Sequence, residues 1–229
     1  MNVACLLKPD ETELAEHYPS PAERIADGAV HAIGLVLAAI GGAILLAMAL
    51  TREGTSIAGA VAIYTVCVIL MLACSAAYNL TKPSRARRLL RRLDEGAIFM
   101  MIAGSYTPLV IKLLPEQLEV LQVGAIWTTA FAGAAGKVLR PNWSDQVWTR
   151  LYVAFTALAM LPLAPIALQL LPPVSLCMLG LALVVYVLGT RIYLDHRARF
   201  RRAIWHTMVV AGAAAHYGAL ATGVVQVGA

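Results

Sequence analysis

Charge is scarce in this chain of 229 residues. Asp, Glu, Lys and Arg make up 14% of it against 60% hydrophobic residues, and the mean hydropathy is +0.73. So little charge cannot solvate an ordinary water-soluble domain, and the composition points to a polytopic membrane protein. Cysteine is sparse as well. Cys5, Cys67, Cys74 and Cys177 show no metal-ligand spacing, and three of them sit inside apolar runs, so neither a disulfide framework nor a redox motif is expected. Also missing is a continuous basic surface. The net charge of +5 comes from Lys and Arg gathered between apolar runs, which excludes nucleic acid as a partner and leaves membrane lipids, anionic ones included. The start of the chain is polar and acidic, with no basic segment followed by an apolar one, so no cleavable signal is expected and insertion rests on the first membrane helix.

What is present is a succession of apolar runs. Residues 1–24, with Asp10, Glu11, Glu13, Glu16 and Glu23 among Pro9, Pro19 and Pro21, read as a cytoplasmic tail. Residues 25–229 read as one all-α, seven-helix transmembrane domain. At about 1.5 Å per residue, about 20 residues cross a hydrocarbon core. The expected spans are 25–50, 57–80, 94–114, 118–138, 147–170, 174–193 and 203–227, the fifth kinked by Pro162 and Pro165 and the fourth rich in Gly and Ala. Fourteen of the eighteen Lys and Arg fall in segments 82–92, 137–150 and 191–202. By the positive-inside rule these face the cytoplasm, so the N-terminus is expected inside and the C-terminus outside.

That topology brings the unusual residues to one depth. The central stretch runs from Leu93-Asp94-Glu95 through Ala103-Gly104-Ser105-Tyr106-Thr107-Pro108, two carboxylates at the head of an apolar helix. Asp27 and His31, Ser75 and Asn79, and Arg202 and His206 are three i,i+4 pairs on spans one, two and seven, all expected in the cytoplasmic leaflet. Ionisable groups inside a membrane are costly to desolvate and mark functional sites by default. Each also has a plainer reading: Asp27 as a helix-dipole partner, His31 as a packing histidine, Asp94 and Glu95 as first-turn charges, Ser75 bonded to its own helix. His216, about 15 Å deeper than His206, reads as an interhelical hydrogen-bonding residue.

Three stretches carry a resemblance: residues 23–34 around Asp27 and His31, Leu93-Asp94 with Ala103 to Pro108, and Ala203 to His206 with Ala211-Gly212 and His216. Together they resemble the bacterial hemolysin III family, grouped with the adiponectin and progestin receptors (PAQR). The resemblance implies a seven-helix bundle with a zinc site near the cytoplasmic face, its pattern Ser-x-x-x-His on span two, Asp opening span three and His-x-x-x-His on span seven. Ser75, Asp94 and His206 match that pattern, whereas Asn79 and Arg202 stand where two imidazoles are implied and Glu95 stands where bacterial members often carry His. An amide oxygen is a poor zinc ligand and a guanidinium repels the cation. No metal or other cofactor is therefore expected, unless zinc is held by other ligands.

The expectation is a metal-free relative in the inner (cytoplasmic) membrane, engaged with membrane lipids in sensing or homeostasis, in which Arg202 supplies positive charge to Asp94 and Glu95. The alternatives are a ceramidase-like hydrolase of a lipid amide, with Asp94, Ser75 and His206 as candidate catalytic residues, and a pore-forming protein. A pore needs polar lining through the whole thickness, and the polar residues lie in one layer. The Gly/Ala face of span four fits a partner helix or the bundle interior equally well.

Overall fold

The computed structural model describes residues 16–139, 143–195 and 197–225, and its regular structure there is entirely helical. Helix α1 runs Pro21–Arg52, α2 Thr55–Leu80, α3 Arg87–Leu113, α4 Glu116–Leu139, α5 Asp145–Met160, α6 Ala164–Leu170, α7 Pro173–Leu194 and α8 Arg201–Gly223. Five of these, α1, α2, α3, α4 and α7, are long and apolar enough to cross a membrane, and a sixth span is available if α5 and α6 are one broken span. Much of the apolar surface stays uncovered, with Ile33, Val36, Leu37, Ile40 and Ile44 exposed along α1. In water such a stripe would be an association hazard, whereas in lipid it needs no cover.

The helix starts follow local chemistry. Ser20 caps α1 by accepting from the Glu23 amide at 3.3 Å, and Pro21, with no N–H to satisfy, fills the first turn, so the helix opens four residues ahead of Ile25. Ser144 caps α5 through the Val147 amide at 3.4 Å. The expected kink at Pro162 and Pro165 is a full break: α5 and α6 meet at 55°, because the prolines remove amide donors from the ladder. Helix α3 corrects an expectation. It starts at Arg87 rather than Asp94, because arginine is a good helix former, and it buries Arg87 and Arg92 in its first turns. Asp94 thus lies about two turns inside the helix.

Helix α3 is the centre of the bundle. It packs against α2 on one side and α4 on the other, while α8 packs against α7 and α1 and so closes toward α2. The interior is held by side chains that reach backbone carbonyls across helices. His216 Nε2 meets the Ser105 carbonyl at 3.0 Å, which is the interhelical role expected of it, Tyr64 donates to Ala213 at 3.3 Å and Tyr106 to Thr156 at 3.0 Å. Two glycines of α4 face neighbouring rings inside the bundle. Gly133 is where the Phe99 ring lies close enough to exclude a Cβ, and Gly136 faces Trp148.

Candidate functional site

One hydrogen-bonded chain of side chains joins four elements at one end of the bundle. The i,i+4 spacing puts Asp27 and His31 on one face of α1, Ser75 and Asn79 on one face of α2, and Arg202 and His206 on one face of α8, and these three faces meet. Asp27 is fully buried and His31 nearly so. Asp27 Oδ1 lies 2.6 Å from His206 Nδ1, and Asp27 Oδ2 accepts from the Tyr18 hydroxyl at 2.6 Å. Opposite a carboxylate, His206 Nδ1 donates to Asp27, and the other ring nitrogen, Nε2, lies 3.3 Å from Ser75 Oγ. Asn79 Nδ2 donates to Ser75 Oγ at 3.3 Å and to the Ser75 carbonyl at 3.0 Å, and Arg202 Nη1 donates to Asn79 Oδ1 at 2.8 Å.

The chain starts at Arg202. Arg202 fixes which end of the Asn79 amide is oxygen, since a guanidinium only donates, and this aims Nδ2 at Ser75. From there the order is Asn79 to Ser75 to His206 to Asp27. His31 lies beside this chain: its Nδ1 meets the Asp27 carbonyl at 2.9 Å, its ring centroid is 4.3 Å from that of His206, and its buried Nε2 has no hydrogen-bond partner among the described residues. Asp94 is part-buried and faces Ser75 from α3.

The equal-depth reading therefore brought together Asp27, His31, Ser75, Asn79, Arg202 and His206, with Asp94 alongside. Glu95 is the exception. It pairs with Arg91 at 2.9 Å and with buried Lys137 of α4, while Tyr152 donates to its backbone carbonyl at 2.9 Å. Among the described residues Arg202 makes no ion pair with Asp94 or Glu95; its direct partner is Asn79, and its charge acts on Asp94 without a contact, so the expected direct pairing is corrected. Helix rotation is the reason, since α8 presents Arg202 to α2 while Glu95 turns toward α4 and α5. Lys137 lies over the Trp148 ring at 4.6 Å, and Arg91 also reaches Asp145 at 3.0 Å.

Sequence reasoning missed the cover. Residues 16–20, part of the segment read as tail, fold over the site: Tyr18 is 7% exposed and His17 Nδ1 lies 3.4 Å from Arg202 Nη2, its ring 4.9 Å from that of Tyr78. Burial, reinforced by the Arg202 guanidinium, pushes His17 down to about 3, so it is neutral at pH 7. Burial and the bond to Asp27 push the Tyr18 phenol up, keeping it a donor. Residues 1–15 of that tail lie outside the described residues.

The residues bear on a metal differently at two places. At the positions of the implied zinc site, Asn79 and Arg202 are bonded to each other, and a guanidinium stands where an imidazole lone pair is needed, so these residues do not fit the cation. Next to them Asp27, His31 and His206 each offer a ligand atom within 4.8 Å of the others, all three buried. Two imidazoles and a carboxylate suit a transition metal, but the Asp27 carboxylate already serves Tyr18 and His206.

Comparison with known proteins finds relatives over most of the chain. A family model described as "Haemolysin-III related" matches residues 23–217. The chain is similar to "Hemolysin-3" of Bacillus cereus, 28% identical over 193 residues that cover 84% of this chain and 87% of that protein. It is also similar to a "Hemolysin-3 homolog" of Bacillus subtilis, 25% identical over 195 residues covering 85% of this chain and 91% of that one.

Proposed function

Because the chain belongs to the hemolysin III family, a family of multi-pass character here, we propose that it is a seven-span inner-membrane protein that senses or adjusts lipid composition without the zinc site its resemblance implies. The seven spans are the five long apolar helices, the broken α5–α6 pair and α8, which is flanked by α1 and α7. The N-terminus is then cytoplasmic and the C-terminus external. The observation that carries the metal-free reading is the 2.8 Å bond from Arg202 to Asn79, a cation and an amide locked together where two imidazoles would stand. Lipid engagement is supported by position: the polar chain lies at the basic end of the bundle, where Arg24, Arg87, Arg91 and Arg202 gather and an anionic headgroup would be attracted. Tying the polar side chains to one another at that end also argues against a water-filled pore.

Elemental analysis of the purified chain tests this. The natural protein is expected to carry no stoichiometric zinc, and the double variant Asn79→His with Arg202→His, which restores three imidazoles on α2 and α8, to gain one. One tightly held zinc per natural chain would overturn the reading. A second reading is favoured by the unpartnered His31 Nε2, namely an ion at Asp27, His31 and His206. Zinc present in the natural chain and lost in His31→Ala would select it.

A further inference from the structure

We propose that Arg88 and Arg92 of α3 hold the phosphate of an anionic phospholipid, on the α4 side of the bundle and apart from the Asp27–His206 cluster. This rests on the lipid engagement proposed above and names where a headgroup is held. Three cations are buried among the described residues: Arg87, Arg92 and Lys137. Lys137 has Glu95, and Arg87 lies over the Tyr78 ring at 6.0 Å. Arg92, 7% exposed, makes no hydrogen bond or ion pair among the described residues, and its Nε is closed off without a partner. Its Nη atoms also lack partners but are not closed off. A buried ion left in that state is costly. The two carboxylates nearest in sequence are turned elsewhere, Glu95 to Arg91 and Lys137 and Asp94 to Ser75, so the missing counter-charge comes from outside the chain.

Register locates the site. Arg88, Arg92 and Gly96 are spaced i,i+4 and share one face of α3, whereas Asp94 lies about 200° around the helix from Arg92. An added Cβ on Gly96 would stand 3.8 Å from Ala134 of α4, so the two arginines lie on the α4 side, nearer the basic end. Side chains on a helix lean toward its N-terminus, which carries Arg92 back toward Arg88, and Arg88 acts on it as a like charge. Arg88 is itself half-buried. Two guanidiniums that repel each other are both relieved by one ligand that accepts from each. A phosphate diester does this with two free oxygens whose spacing matches the guanidinium fork. The source is a lipid because apolar side chains beside the pair are uncovered: Leu89 is 49% exposed, Leu93 47% and Leu139 at the end of α4 60%. An arginine that merely snorkelled into headgroup water would keep its guanidinium open, and the Nε of Arg92 is closed.

The test titrates the purified full chain, stripped of lipid in neutral detergent, with phosphatidylglycerol, phosphatidylcholine and inorganic phosphate, and counts bound ligand by native mass spectrometry. The natural chain is expected to hold one phosphatidylglycerol, with the other two ligands at least about 10-fold weaker. Arg92→Gln is expected to weaken it about 10–100-fold and Arg88→Gln about 10-fold, while Arg85→Gln, exposed at the same end, changes it less than about 2-fold. Unfolding midpoints give a second readout. Phosphatidylglycerol is expected to raise the midpoint of the natural chain and not that of Arg92→Leu, whose lipid-free midpoint is no lower than the natural one because an uncompensated charge is gone. If Arg92 variants fail to fold, half-buried Arg88→Gln carries the affinity test. A lower lipid-free midpoint in a folded Arg92→Leu would show that the protein itself partners Arg92, and would overturn the site. Unchanged affinity in both Gln variants would also overturn it and leave the wider lipid reading standing, whereas a natural chain with no preference for phosphatidylglycerol over phosphatidylcholine would sink both. Inorganic phosphate held as tightly as the lipid would overturn the lipid as occupant.

Discussion

His17 shows how a single residue sets the state of the cover. Its folded value is about 3 against an ordinary 6.5, lowered by burial first and then by Arg202, Arg87 and Arg91, with Asp27 opposing. Above pH 6.5 the imidazole is neutral whether residues 16–20 are docked or not, so docking is unaffected. As pH falls from 6.5 toward 3 the undocked form takes up the proton first, and docking weakens. Hydrogen exchange at residues 16–20, corrected for intrinsic rates, is expected to quicken between pH 7.5 and 5 in the natural chain and to lose that excess in His17→Gln; identical profiles would show that His17 does not govern the cover. A second prediction concerns Glu95. Its removal leaves Lys137, 5% exposed, without its carboxylate, so Glu95→Gln is expected to cost about 3 kcal/mol. Asp145 is 47% exposed and meets Arg91 at the surface, so Asp145→Asn is expected to cost under about 1 kcal/mol. Thermal unfolding in detergent ranks the two, and equal losses would mean that Lys137 finds water.

Helices meet here through small residues, and Gly104 of α3 is one such close approach near the centre. A Cβ there would stand 2.7 Å from Cys67 Cβ of α2, so Gly104→Leu is expected to force α2 and α3 apart at a cost of at least about 1–3 kcal/mol. Gly59 of α2 has nothing within 4 Å, and Gly59→Ala is expected to be neutral or to stabilise by about 0.5–1 kcal/mol. Unfolding midpoints of the two variants check the contrast, and a tolerated Gly104→Leu would mean that the helices slide freely. At this scale the sequence was readable where one signal acted alone. Apolar runs placed the helices, and Pro162 with Pro165 placed the break. The start of α3 was misplaced because a run of arginines is polar and helix-forming at once, and polarity was weighed first. The i,i+4 pairs named most of the site because spacing fixes which residues share a face. The pairings needed helix rotation, which no single span encodes. Arg202 turned to Asn79. Lys137 of α4 came to Glu95, and Tyr18 came back onto Asp27 from a segment whose composition reads as solvated.

For the whole molecule, the ends of the bundle carry opposite charge characters, and this bears on which face the site occupies. At one end Arg24 donates to the Leu80 carbonyl at 2.8 Å, Arg91 reaches Asp145, and the cover of residues 16–20 lies on α8, so the starts of α1, α3, α5 and α8 share a level with the end of α2. That end collects the described residues of segments 82–92, 137–150 and 191–202, segments that hold fourteen of the eighteen Lys and Arg of the sequence. At the other end Arg52 and Lys112 are the basic residues of the loops, and Lys112 is paired with Glu53 at 2.6 Å. Cationic segments resist translocation, so the crowded end is expected in the cytoplasm, and the seven spans proposed above would then leave the C-terminus outside. Reporter fusions check this. A phosphatase that is active only outside is expected to be silent when inserted at residues 84 and 198 and active at the C-terminus, with a fluorescent reporter giving the reverse. The placement matters chemically as well as geometrically: the anionic lipid that the arginines would gather is a property of the cytoplasmic leaflet, whose negative surface potential falls away within about a Debye length. Phosphatase activity at residue 84 would put Ser75, His206 and Asp27 at the outer face, and the lipid assignment of the site would fall with it.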